Sequence, residues 1–256
     1  MGNSTTHLHT FYWYHGNEGQ IFLETIKNNF FLLLLLSIVS SQQYTISILG
    51  LTASDVFLET SYDSIEFNTQ SRGLVDAIWP TKNNYTAKFN PDDFSMISWR
   101  KNISQGGYKK SLFGKIDSSD LMLYDSKNKI KLQKKTQNIF TMLAMVQKRD
   151  REYLDTKWFH YENAGSLGKA RFIWADSSNA WDGQDSILCD HYRFDIEILD
   201  STKHIKTTDY FLNNINESDL VRELWVSKSN PKKIILARIN NGFLTVTARI
   251  KVDPKL

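Results

Sequence analysis

From Tyr44 onwards, apolar and polar residues alternate with a period of two, the pattern of strands with one buried and one solvated face. The alternation is plainest near the C-terminus. There Leu244, Val246, Ala248, Ile250 and Val252 interleave with Thr245, Thr247, Arg249 and Lys251. The aliphatic run 233–240 precedes it, and Asn240-Asn241-Gly242 predicts a hairpin with a type I′ turn, whose positive φ angles suit Asn-Gly. Tyr192, Phe194, Ile196 and Ile198 make one face of a strand over 187–199. A further strand, 220–226, ends at the turn residues Ser227-Lys228-Ser229-Asn230-Pro231. Weaker strands are expected at 44–51, 56–60, 64–69, 85–89, 95–103, 108–116, 121–124, 130–133, 158–162 and 169–174. A hairpin tip is expected at 126–129, and Gly165 and Gly168 bracket another loop.

One segment breaks the period. Between Asn138 and Arg149, Ile139, Met142, Leu143 and Val146 follow the i, i+3, i+4, i+7 spacing of an amphipathic helix. Thr136 or Asn138 can cap its start, and Lys148 and Arg149 suit the negative end of its dipole. Its stripe predicts packing on a sheet face or open end; a lid over a ligand cavity is the alternative. Strand and helix do not alternate as in a parallel doubly wound fold. The expected fold is mainly β: a single antiparallel curved sheet, half-barrel or sandwich, with one short covering helix.

A second apolar run, Phe30 to Val39, is too short to cross a hydrocarbon core, which takes ~20 residues, but suits the apolar centre of an export signal. Lys27 precedes it, and Val39 and Ser41 offer the small residues of a peptidase site, so cleavage is expected after Ser41. The expected organisation is a leader over 1–41 and one β domain over 42–256. The alternative is an uncleaved anchor near 28–51.

Composition narrows the function. The 256 residues carry 31 basic and 28 acidic side chains, a net +3 that is too balanced for a nucleic-acid footprint. Cys189 is the one cysteine, so no intramolecular disulfide forms and paired zinc-binding cysteines are missing. Neither a cofactor nor a metal site is expected.

Candidate chemistry is sparse. Cys189 and His191 share a strand face, a spacing a nucleophile pair can use, but a packed thiol beside a surface imidazole is the plainer reading. His160, His191 and His204 follow no metal-ligand spacing. Asp92-Asp93, and Asp182 with Asp185, read as turn carboxylates before they read as an acid–base pair. Gly106-Gly107 reads as a hairpin turn and not a phosphate loop. Lys127, Lys129, Lys131, Lys134 and Lys135 suit a solvated sheet edge, with an anionic-lipid or polyanion contact as the alternative. Trp99, Trp158, Trp174, Trp181 and Trp225 suit core or rim packing, or the lining of a cavity. No catalytic residue is assigned.

Taken together, 44–252 resembles domain-of-unknown-function family 3108, a group of exported bacterial proteins. The resemblance rests on the opening run Tyr44 to Leu51 with its Gly50, on Asn90-Pro91-Asp92-Asp93-Phe94 before a strand, and on the helix 138–149. It rests also on Leu224-Trp225-Val226-Ser227 followed by Asn230-Pro231 and Lys233-Ile234-Ile235. Asn138 and Thr141 stand where that family often has Asp and Ser. The resemblance implies a curved antiparallel sheet in the bacterial envelope and no activity. The expected function is therefore that of an exported, non-enzymatic envelope protein that meets the export machinery in transit and holds an apolar ligand such as a lipid, or a partner protein. An envelope hydrolase acting on glycans and a purely structural component are the alternatives.

Overall fold

The computed structural model describes residues 40–125, 127–199, 209–217 and 219–252. Residues 1–39 of the expected leader, with its Phe30–Val39 run, and His204 lie outside them. Fourteen strands form one antiparallel sheet. In chain order they are β1 Ser40–Ile48, β2 Leu51–Thr60, β3 Ser64–Ser71, β4 Thr81–Phe89, β5 Met96–Gln105, β6 Tyr108–Ile116, β7 Leu121–Tyr124 and β8 Asn128–Lys131. They continue with β9 Phe159–Asn163, β10 Ser166–Trp181, β11 Ser186–Ile198, β12 Val221–Ser227, β13 Ile234–Asn240 and β14 Thr245–Lys251. The spatial order is β8-β7-β6-β5-β4-β3-β2-β1-β14-β13-β12-β11-β10-β9. Two meanders are thus joined where β1 pairs with β14, Tyr44 opposite Ile250.

The sheet is strongly curved. β7 stands second and β9 last in that order, so a flat sheet would hold them ~58 Å apart at ~4.8 Å per strand. Instead the Tyr124 hydroxyl of β7 donates a hydrogen bond to Glu162 of β9. The two edges have curled towards each other as in a half-barrel, and the expected fold class holds.

The inner face buries Tyr44, Leu58, Tyr85, Phe89, Trp99, Met122, Phe172 and Phe194, among others. The helix expected at 138–149 spans Ile139–Lys148 and is α2 of four among the described residues, the others being α1 Gly73–Ile78, α3 Arg151–Leu154 and α4 Tyr210–Ile215. Asn138 caps α2 by accepting from the Thr141 amide at 2.9 Å, while the Thr141 hydroxyl accepts from the Asn138 amide at 3.1 Å. The wrapped sheet buries almost all of α2, including Phe140, Ala144 and Met145 outside the expected stripe. It is a central helix more than a cover.

Several turns differ from expectation. Asn240 pairs with Thr245, so four residues, not two, close the last hairpin, with Gly242 at φ 88°. The Asn241 side chain accepts from the Phe243 and Leu244 amides and so stabilises the longer loop. The expected strand 44–51 breaks at Leu49-Gly50 (φ 51° and 84°), which joins β1 to β2. Gly106-Gly107 and Ala164-Gly165 join their strands with the same pair of positive φ angles, the type I′ signature. Gly168 is not in a loop but inside β10 opposite Tyr161 and Ile198. β8 begins at Asn128, so the expected tip at 126–129 is partly strand.

Candidate functional site

Between the inner face and the helices lies a cavity of about 140 Å³ whose wall is almost wholly apolar. Tyr44, Leu58, Phe67 and Phe194 line it from the sheet, Leu143 from α2, and Phe211 and Ile215 from α4. The period-two alternation places these sheet residues. Val246 and Ala248, expected on the inner face of β14, line the cavity as well. None of the five tryptophans weighed as cavity lining takes part. Trp99 and Trp225 are buried, Trp158 and Trp181 are exposed, and Trp174 donates to Asp190 at 3.2 Å.

The short helix α4 closes one side of the cavity and is fixed at both ends. Asp209, at its N-cap, accepts from the Leu212 amide at 3.2 Å and from the Tyr85 hydroxyl at 3.1 Å. Its other oxygen pairs with the Lys101 ammonium at 3.4 Å, with both side chains fully buried. At the far end, buried Arg222 donates to the carbonyls of Ile215 at 2.6 Å and Leu220 at 3.1 Å, and also to that of Glu217. The Ile215 carbonyl is one a helix end would otherwise leave unpaired, and the other two lie in the segment that follows. Tyr161 donates to Asn216 at 2.8 Å. Tyr85 both lines the cavity and holds Asp209, so one residue links the apolar wall to the ion pair.

A second buried acid lies nearby. Glu162 accepts from the Tyr124 hydroxyl and from the Gly165 amide at 2.6 Å, while its other oxygen has no hydrogen-bond partner. Burial pushes its carboxyl up to about 7, against the opposing pull of those bonds and of Lys101. Burial also holds the Lys101 ammonium below its usual range, more strongly than Asp209 raises it.

Lys101, Asp209 and Glu162 were not picked out in the sequence. Lys101 did carry a signal. It lies between Trp99 and Ile103 in period-two phase, so the alternation points it inward. Glu162 directly follows Tyr161, and both are buried, so period-two phase gives no signal for it.

The residues singled out in the sequence are dispersed. The Cys189 thiol is buried, donates to the Ile187 carbonyl at 3.3 Å and is pushed up to about 11 by burial. That is the opposite of an activated nucleophile. His191 is not a simple surface residue. Its ring stacks on Trp225 at 4.2 Å and lies 3.2 Å from both Asp176 and Glu223. His160 is exposed. Asp93 accepts from the Ser95 amide and pairs with Lys135, and Asp182 accepts from the Gln184 and Asp185 amides, all turn roles. Lys129 and Lys131 lie on β8, the edge strand, as the solvated-edge reading expects.

No family model matches the chain. No curated protein matches it either. The resemblance to family 3108 therefore rests on the residues quoted above. Among solved structures, the chain is similar to a β-barrel-like protein of domain of unknown function 1849 from Brucella abortus. The identity is 10%, the coverage 82% of this chain and 95% of that one, and the TM-score 0.49. A domain-of-unknown-function 1089 family protein from Pseudomonas aeruginosa is also similar, at 10% identity, 72% and 88% coverage and a TM-score of 0.40. Among the described residues, no helix is long and apolar enough to cross a membrane.

Proposed function

We propose that this protein is an exported envelope component that holds one apolar group, such as part of a lipid acyl chain, between the curved sheet and helices α2 and α4. The cavity carries the reading. An apolar space of about 140 Å³ is the size of an engineered cavity, ~150 Å³, that stays dry and takes up benzene. A single short apolar segment matches that volume, and transfer of each methylene from water contributes roughly 0.8 kcal/mol. A longer chain requires α4 to give way. Export is supported by the Phe30–Val39 run. β1 takes in Ser40 and Ser41, so the proposed cut after Ser41 removes two strand residues and keeps Gln42, which donates to Gln147 at 2.6 Å.

One experiment addresses both parts. Protein recovered from an envelope fraction is measured by native mass spectrometry, with and without added lauric acid. The expected result is a chain starting at Gln42 that carries one apolar molecule. Leu143→Trp, which fills the cavity from α2, abolishes that adduct without lowering the melting temperature. Equal binding by this variant overturns the site. Recovery of the intact chain in the cytoplasm overturns export.

A further inference from the structure

The outer face of β2 to β6 carries an open groove of about 510 Å³, on the side of the sheet away from the apolar cavity. Two rows of polar side chains cross the strands there. Asn68, Asn84, Asn102 and Ser111 are register partners on β3, β4, β5 and β6. Two residues along, Gln70, Lys82, Ser104 and Lys109 form the second row. Phe57 stands beside Asn68 on β2, 43% exposed.

The first row is orientated by its own hydrogen bonds. Ser111 donates to Asn102, Asn102 to Asn84 at 3.4 Å, and Asn84 to Asn68 at 2.9 Å. Asn84 and Asn68 both donate to Glu66, at 2.7 and 3.0 Å. Each amide is thereby fixed in one orientation. The second N–H of Asn102 and of Asn68, and the spare carbonyl lone pairs, form a set of donors and acceptors that is ordered before any ligand arrives. The second row supplies charge. Lys82 and Lys109 form no ion pair among the described residues, nor do Lys88, Arg100 and Lys115 on the same face. Asp55, which is opposite Gln70, is already paired with Arg72 and with Lys251 at 2.9 Å.

We infer that this groove binds an acidic oligosaccharide. Sugar hydroxyls each donate and accept, which suits a row of fixed amides and hydroxyls. The Phe57 ring offers an apolar face to the C–H side of a pyranose. Lys82 and Lys109, two strand spacings or ~10 Å apart, meet carboxylate or sulfate groups. A bilayer surface or a polyanion recognised by charge alone engages the lysines and leaves the amide row unused. The site is independent of the apolar cavity.

The test is calorimetric titration of the full chain with tetragalacturonate and a heparin tetrasaccharide, against neutral cellotetraose, polyphosphate and phosphatidylglycerol vesicles. At least one acidic saccharide is expected to bind saturably, about tenfold or more tighter than cellotetraose. Lys82→Ala with Lys109→Ala weakens it about tenfold or more. Asn102→Ala weakens the saccharide but not polyphosphate, at an unchanged melting temperature. The inference is overturned if neither acidic saccharide binds. It is equally overturned if polyphosphate or vesicles bind as tightly and Asn102→Ala changes nothing, which would leave a face that reads charge only.

Discussion

At the residue scale, Glu162 shows how burial turns a common side chain into a pH-sensitive one. Its folded-state pKa of about 7 stands above the ordinary 4.5, so the folded protein holds a proton that the unfolded chain releases. The stabilising contribution is fully present below pH 4.5 and is lost as pH rises through about 7. At ~1.4 kcal/mol per pKa unit the loss is at most roughly 3 kcal/mol. Glu162→Gln keeps an acceptor for Tyr124 and Gly165 but cannot ionise. The variant is therefore expected to match the parent near pH 4.5 and to exceed it by roughly 1–3 kcal/mol at pH 8. Urea denaturation at the two values measures this. A difference that does not change with pH would show that Glu162 titrates normally. The Lys101–Asp209 pair is a different case, because both charges are buried and paired, and its loss would strand one of them.

At the element scale, glycines divide into those that serve a turn and those that serve close packing. Gly107 sits at φ 85° in a two-residue hairpin, with open space where a Cβ would point. Gly107→Ala is expected to cost about 1–2 kcal/mol from the left-handed backbone alone. Gly168 has an ordinary strand conformation, but a Cβ there would lie 2.3 Å from the Glu197 carbonyl oxygen on β11. Gly168→Ala must push β10 and β11 apart in the longest ladder of the sheet, and a cost of about 2–3 kcal/mol or more is expected. Chemical denaturation of the two variants checks the order. A smaller loss at Gly168 would show that the ladder relaxes freely. Alternation located all fourteen described strands and turn residues located the hairpin at Gly106-Gly107, but the loop length of the last hairpin was missed, because turn type depends on φ values set by both flanking strands.

For the whole molecule, the open sheet has two edges, and each is protected differently. β9 is covered by the chain before α2, where the Gln137 amide donates to the His160 carbonyl and the Glu162 amide donates to the Gln137 carbonyl, both at 2.8 Å. β8 relies on charge, with Lys129 and Lys131 exposed along it. Replacing both with Val leaves the core untouched and removes ion pairing only at Lys131–Asp120, a surface contact. The variant is expected to form larger species in size-exclusion chromatography at concentrations where the parent keeps its elution volume. An unchanged profile would mean that twist or the neighbouring loop, and not charge, guards that edge.

The sequence by itself determined the strand-rich character, the inward face of each long strand, the existence of an amphipathic helix at 138–149 and the charged edge. Each follows from local periodicity, which residues display whatever their distant neighbours are. Only the tertiary structure decided that one sheet curls until Tyr124 meets Glu162, that α2 is surrounded rather than laid on top, and that Lys101 finds Asp209 at the start of α4. Those outcomes depend on pairs separated by 38 and 108 positions along the chain. Period and propensity carry no information about such separations. It is the cumulative twist of the strands and the closure of the chain around its own helix that bring these residues together.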